Sequence, residues 1–148
     1  MDRTVIRFRK LDPRAEAPSY GSEWAAGADL RAVLDAPVTL QPGQTAFFAT
    51  GLAVEIPRGF VGLIYARSGL ACKKGLAPAN KVGVIDADYR GEIKVALHNH
   101  SQQPQTVEPG ERIAQMVVTP FLPAVYEEAD ALSDTERGEG GFGSTGRQ

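Results

Sequence analysis

Ile85-Asp86-Ala87-Asp88-Tyr89 places two carboxylates and an aromatic ring within five residues, directly after the apolar run Val82-Gly83-Val84. A carboxylate here can take a proton from water or bind a metal, and the ring can stack on a ligand ring. Along an extended chain Asp86 and Asp88 point to one face. The plainer alternative is a β-turn in which both aspartates only hydrogen-bond the backbone. A second segment, Ala66-Arg67-Ser68-Gly69-Leu70, offers a guanidinium, a hydroxyl and unpaired backbone N–H groups at the start of a short helix. That is the chemistry of an anion site, or of an ordinary N-cap beside an exposed arginine. A third, Arg137-Gly138-Glu139-Gly140-Gly141-Phe142-Gly143-Ser144-Thr145-Gly146, sets one ring among glycines, with an arginine before it and hydroxyls after it. Glycines let backbone N–H groups approach phosphate oxygens and Phe142 offers a stacking face, unless the segment is only an unstructured linker.

Three other signals carry less chemistry. His98-Asn99-His100 reads as surface histidines on a strand, with metal binding by the two imidazoles as the alternative. Cys72 has no histidine near it in sequence to activate it, so it is expected to be a small buried apolar side chain. Trp24 is expected to pack within the subunit or at a subunit interface.

The elements that must position these groups are β-strands. Sixteen glycines and ten prolines in 148 residues leave few uninterrupted stretches longer than about ten residues, close to a mean helix. Between the breaks lie runs rich in β-branched and aromatic residues: 4–9, 45–50, 60–65, 92–99 and 112–119. In 92–99, Ile93, Val95 and Leu97 alternate with polar or small residues, the pattern of a half-buried strand. Turns are expected at Gln41-Pro42-Gly43-Gln44, Pro57-Arg58-Gly59 and Glu108-Pro109-Gly110-Glu111. The exception is 68–75, which reads as one or two helical turns with Ser68 as N-cap and Gly75 just past the end, after two lysines that suit the dipole. From Val125 the chain turns acidic, then glycine-rich, and this tail is expected to be mobile until something binds it.

Composition narrows the classes further. At 148 residues with 43% apolar and 23% charged residues, the chain is one soluble globular domain, all-β, a sandwich or barrel. Sixteen Lys and Arg against eighteen Asp and Glu give no positive field for duplex nucleic acid. A single cysteine excludes an internal disulfide framework and fits a reducing compartment. The charged N-terminus is not a signal peptide and no apolar run nears the roughly 20 residues of a membrane helix, so a cytoplasmic protein is expected.

Taken in order, the segments resemble the five motifs of the trimeric dUTP pyrophosphatases, or dUTPases, across nearly the whole chain. They are Ala26-Gly27-Ala28-Asp29-Leu30-Arg31-Ala32, Ala66-Arg67-Ser68-Gly69-Leu70, Gly83-Val84-Ile85-Asp86-Ala87-Asp88-Tyr89-Arg90-Gly91, Glu111-Arg112-Ile113-Ala114-Gln115, and residues 137–146. Departures are mild: Glu111 stands where aspartate is frequent and Ala28 where the family varies. The resemblance implies a jelly-roll β-barrel or sandwich over residues 1–136 with one short helix, and a flexible C-terminal lid over 137–148. It implies a homotrimer with active sites shared between subunits, Mg²⁺ dependence, and hydrolysis of dUTP to dUMP and pyrophosphate, which limits dUTP and supplies dUMP for thymidylate synthesis.

Carried over residue by residue, the family pattern makes Asp86 the base that orients a water for in-line attack on the α-phosphorus. Asn80 and the backbone of Val84 and Ile85 would bind the uracil edge, with the strand near Lys94 closing a slot that has no room for a thymine methyl. Tyr89 would lie under the deoxyribose and exclude a 2′-hydroxyl. Arg67, Ser68, Gly69 and Gln115 would hold phosphates, and Asp29 would reach the metal through a water. Arg137, Phe142, Gly143, Ser144 and Thr145 would close over base and γ-phosphate, and Arg112 would orient a carboxylate or be structural. Two rivals share the fold: a dCTP deaminase, whose family uses a glutamate as base and lacks the Gly-Phe-Gly-Ser-Thr tail, and a non-enzymatic trimeric regulator, which would not need Asp86.

Overall fold

The computed structural model describes residues 2–143 and 146. In chain order the strands are β1 (Arg7–Lys10), β2 (Ser19–Tyr20), β3 (Ala28–Arg31), β4 (Val38–Leu40), β5 (Thr45–Ala49), β6 (Leu52–Glu55), β7 (Phe60–Tyr65), β8 (Leu76–Pro78), β9 (Gly83–Ile85), β10 (Lys94–Asn99), β11 (Gln105–Val107) and β12 (Arg112–Pro120). They form four antiparallel sheets: β2-β3-β12-β7-β9, β5-β10-β8, β1-β6 and β11-β4. This is the expected β-sandwich of jelly-roll type.

One core joins the sheets. Leu30, Leu40, Phe48, Leu52, Leu97 and Ile113, one or two from each sheet, are fully buried together. Each contributes about 1.5–3 kcal/mol by leaving water. Asn99 and Thr50 are the buried polar residues among those described, and all of the side-chain capacity of Asn99 is used. Its Nδ2 donates to the carbonyls of Leu40 (3.0 Å) and Gln103 (2.8 Å), while Oδ1 accepts from the Ser101 amide (2.9 Å) and hydroxyl (2.7 Å). An unmade bond at such a site costs about 1–3 kcal/mol, so the network fixes how β10 meets β4.

The three proline-glycine turns form where expected. Gln44, Phe60 and Glu111 donate their amides to the carbonyls of Gln41, Pro57 and Glu108. Gly43, Gly59 and Gly110 take positive φ of 79°, 85° and 77°. The helical segment differs from expectation. Its Leu70–Lys74 portion is a π-helical turn, closed by Gly75 in the left-handed conformation, and its first bond runs from the Ala71 amide to the Arg67 carbonyl. Helical geometry begins before Gly69, so the Ser68 hydroxyl makes no cap bond. Cys72 is exposed rather than buried, because Leu70 is the residue of this turn that faces the core. Trp24 is 73% exposed and so does not pack within the subunit.

Beyond β12 the chain leaves the sandwich. Among the described residues, the amide of Phe121 bonds the Gly59 carbonyl at 3.0 Å, and no later hydrogen bond reaches back to the core. Leu122, Val125, Tyr126 and Leu132 along this arm are all at least 90% exposed.

Candidate active site

The strand register of the five-stranded sheet sets up the first cluster. Asp29 on β3 lies opposite Gln115 on β12, which in turn lies opposite Tyr65 on β7, so three residues distant in sequence form one row. Arg67 follows β7 and turns back onto the row. Its Nε donates to Asp29 Oδ1 at 2.8 Å, and Arg112 Nη1 reaches Asp29 Oδ2 at 3.4 Å. Gln115 Nε2 donates to the Ala66 carbonyl at 2.8 Å, tying β12 to the start of the loop that carries Arg67, Ser68 and Gly69. Gly27 leaves room for the Gln115 side chain where it lies: a Cβ there would stand 2.2 Å from Gln115 Oε1 and make the glutamine swing away. The amides of Ser68 and Gly69 precede the first helical bond and point out of the turn, as first-turn amides do. The cluster therefore joins two guanidiniums, a side-chain amide, a hydroxyl and open backbone N–H groups, a set suited to phosphate oxygens.

The second cluster hangs from the opposite end of β7. Ile85 on β9 pairs with Gly62, so Asp86 leaves the sheet beside Val61. The Asp29 row crosses β7 at Tyr65, four residues away, or roughly 13 Å along the strand. The strand ends at Ile85 and a turn begins, with the Tyr89 amide donating to the Asp86 carbonyl at 3.2 Å. The period-two argument that put Asp86 and Asp88 on one face of a strand therefore does not apply. Both are nevertheless exposed and line one open groove of about 1210 Å³ with Val84, Phe60, Val61 and Leu63. The Tyr89 hydroxyl donates to the Glu92 carbonyl at 2.8 Å, and its ring lies over Gly91, where a Cβ would stand 2.5 Å from the Tyr89 hydroxyl oxygen.

Asn80 sits in the loop between β8 and β9, where Lys81 takes a positive φ of 66° and the Val82 amide bonds the Asn80 carbonyl. Gly83 brings its backbone close to the Asn80 amide group, 3.4 Å from where a Cβ would be. The Ala79 amide bonds the Ala96 carbonyl at 2.7 Å, which brings Asn80 beside β10 two residues from exposed Lys94. Asn80, Val84 and Ile85 thus share one loop and strand, with Lys94 nearby on the next sheet.

In the tail, Arg137 Nε donates to the Gly140 carbonyl at 2.7 Å, and Phe142 takes a φ of 52° with its ring fully exposed. Gly143 is exposed beside it, while Ser144 and Thr145 lie outside the described residues. His98 bonds Thr45 through Nδ1 at 2.9 Å, and among the described residues no three His, Cys, Asp or Glu side chains gather as a metal cage. Sequence reasoning missed Glu55, Arg7 and Glu92, single charges on or beside strands whose partners are distant in sequence. Only the 2.8 Å Arg7 to Glu55 bond and its neighbours in the structure reveal them.

The geometry agrees with what the chain is similar to. The dUTPase family model matches residues 13–146. A deoxyuridine 5′-triphosphate nucleotidohydrolase of Desulfitobacterium hafniense is 51% identical over 142 residues, covering 95% of this chain and 94% of that one. One from Alcanivorax borkumensis is 45% identical, covering 97% and 99%. Among solved structures, the Staphylococcus bacteriophage 80alpha dUTPase with dUpNHpp superposes with a TM-score of 0.84 at 28% identity, over 98% of this chain and 100% of that one. With the motif residues held in two clusters on a jelly-roll sandwich, these likenesses over nearly the full length establish that the chain belongs to the dUTPase family and is a dUTP-hydrolysing enzyme.

Proposed function

We propose that the enzyme forms dUMP and pyrophosphate by in-line attack of an Asp86-held water on the α-phosphorus, in a homotrimer whose sites combine groups from different subunits. The observation that carries this reading is the separation of Asp86 from the Asp29–Arg67–Gln115 cluster along β7. Groups roughly 13 Å apart along one rigid strand, with Gln115 two and Asp29 three strands from β9 across the sheet, cannot serve one phosphorus. A second copy resolves this by bringing its cluster to the first copy's turn. The arm after β12 supports assembly too, since Leu122, Val125, Tyr126 and Leu132 stay in water unless another subunit covers them.

In this reading Arg67, Ser68, Gly69 and Gln115 hold the phosphate oxygens, and the charge they supply is largest where the transition state needs it. Asn80 with the backbone of Val84 and Ile85 reads the uracil edge, and Lys94 closes the slot. Tyr89, its ring over Gly91 and its hydroxyl bonded to Glu92, carries the deoxyribose. Asp86 accepts the water proton as the new P–O bond forms, and the leaving pyrophosphate takes the bonding pair. Residues 1–136 act as the catalytic domain, and 137–148 close as a lid through Arg137, Phe142, Gly143, Ser144 and Thr145.

Mg²⁺ would be held at this site indirectly, through Asp29, and would supply positive charge to the phosphates. Both oxygens of Asp29 already accept from Arg67 and Arg112, so Asp29 would reach it through a water. No described helix is long and apolar enough to cross a membrane.

The test is complementation. Asp86→Asn chains and chains ending at Glu136, each inactive alone, are unfolded and refolded together. In mixed trimers some sites take Asp86 from one chain and the tail from another, so dUTP turnover returns. A mixture containing heterotrimers but no more active than its components would refute shared sites. Pyrophosphate release from dUTP, dTTP, dCTP and UTP in parallel tests the substrate, and ammonia release from dCTP would favour the deaminase instead.

A further inference from the structure

The Asp86 carboxylate accepts no hydrogen bond among the described residues, so its position is set by the backbone of its turn. That turn is poorly held by its own strand. β9 has three residues and one open edge, and the turn is closed by a single 3.2 Å bond from Tyr89 to Asp86. Other side chains hold it from outside. Arg90 folds back over the turn, and its Nη1 donates to the carbonyls of Ala87 at 2.7 Å and Tyr89 at 3.1 Å. One nitrogen bridging two carbonyls fixes the spacing between the two arms of the turn.

Arg90 is itself oriented. Its Nη2 pairs with Glu55 Oε1 at 3.4 Å, and Glu55 Oε2 accepts from Arg7 Nε at 2.8 Å and Nη2 at 2.6 Å. Arg7 and Glu55 are direct cross-strand partners of β1 and β6, so the relay starts in a different sheet from β9. A second tie reaches the far side of the turn. Glu92 accepts the Gly51 amide on its carboxylate at 3.0 Å and the Tyr89 hydroxyl on its carbonyl at 2.8 Å. Gly51 precedes β6 and Glu55 ends it, so both ties fasten to the two ends of the same strand.

We infer that Arg90 is a positioning residue for Asp86 and that Glu55, held by Arg7, keeps Arg90 in place; this rests on the reading of Asp86 as the water-directing carboxylate. An exposed ion pair alone contributes little to stability. A displacement of about 1 Å at the reacting group, however, can cost on the order of a hundredfold in rate. The relay should therefore register in turnover far more than in folding.

The experiment uses the full-length enzyme and the variants Arg90→Lys, Glu55→Gln and Glu55→Asp, in wild-type and Asp86→Asn backgrounds. Measurements are kcat and KM for dUTP, affinity for dUpNHpp, thermal midpoint, and sedimentation, because Arg7, Glu55 and Arg90 also line the open groove. Arg90→Lys keeps the charge but loses the bridge, and kcat should fall about tenfold or more with analogue affinity, midpoint and oligomeric state unchanged. Glu55→Gln should lower kcat by about threefold, and Glu55→Asp should recover part of it. In the Asp86→Asn background neither change should lower the residual rate further, because the group being positioned is gone. If Arg90→Lys fails to fold, Glu55→Gln carries the same test from the surface of β6. Wild-type kcat in both Arg90→Lys and Glu55→Gln, or an equal fall in the Asp86→Asn background, would overturn the inference alone. Wild-type turnover in Asp86→Asn itself would overturn the reading of Asp86 and the inference with it.

Discussion

The Asp29 row and the Asp86 turn lie on one sheet yet are held by opposite means. Asp29, Gln115 and Tyr65 stand on three adjacent strands at one register position, with the Asp29 charge compensated by Arg67 and Arg112. The turn hangs from an edge strand and depends on tethers from β6. Ladder register gives a rigid array, which suits groups that must match several phosphate oxygens at once. An edge turn can be adjusted by its tethers, which suits a single group that must meet one phosphorus at one angle. In the proposed function phosphate binding and attack are built separately, and the separation along β7 makes that division a matter of geometry.

The comparison breaks most sharply at the turn. Asp86→Asn should lower turnover by about 10²–10⁴-fold while the dUTP analogue still binds, because in the proposed site residues other than Asp86 hold the phosphates, base and sugar. Single-turnover rates and analogue titration check this, and retention of more than about a tenth of the turnover would place the base elsewhere.

A chain ending at Glu136 comes next. It should keep the thermal midpoint and oligomeric state of the full chain, since no described hydrogen bond joins the tail to the core, yet lose most activity. Limited proteolysis adds a second reading: Arg137 should be cut more slowly when dUpNHpp and Mg²⁺ are present, and equal rates would speak against a lid.

Gly27→Ala sharpens the other side. The new Cβ would meet Gln115 Oε1 at 2.2 Å and push it off the Ala66 carbonyl. The row loses its anchor while Asp86 is untouched, so KM should rise by about tenfold with a much smaller change in kcat. A fall in kcat at constant KM would mean the two clusters are not separable in this way.

The smallest effect is expected far from both. Hydrogen bonds from the Arg14 side chain, and then from its backbone amide, hold the Asp12 carboxyl at about 2 instead of 3.8. A lowered carboxylate stabilises the fold above its unfolded value and loses that contribution as pH falls from about 3.8 to about 2. Asp12→Asn should flatten the fall in thermal midpoint across that window and leave activity at neutral pH unchanged. The difference should shrink in high salt.

How much of this the sequence revealed follows from locality. β7 and β12 are legible because each is rich in β-branched or aromatic residues and follows a strong proline-glycine turn signal. β4, β8 and β11 have three residues each, and β8 ends in Pro78, which argues against a strand unless it lies at an edge, as it does. The residue types of the site were legible as motifs. Their contacts were not: Arg67 meets Asp29 across 38 positions and Arg7 meets Glu55 across 48, and a single charge on a strand announces no partner. The face shared by Asp86 and Asp88 was misjudged for a local reason, since the strand stops one residue before the first of them.

The close approach of Gly27 to Gln115 also constrains how such a chain can change over generations. Any side chain at position 27 collides with the glutamine, and any shortening of the glutamine releases the Ala66 carbonyl before position 27 has gained anything. Each first step gives up the Gln115 to Ala66 hydrogen bond, worth about 0.5–1.5 kcal/mol, so the pair would form a shallow valley for single substitutions. Lineages would cross it only where spare catalytic capacity masks the loss, and the two positions would then change together, in either order, within a short span of descent.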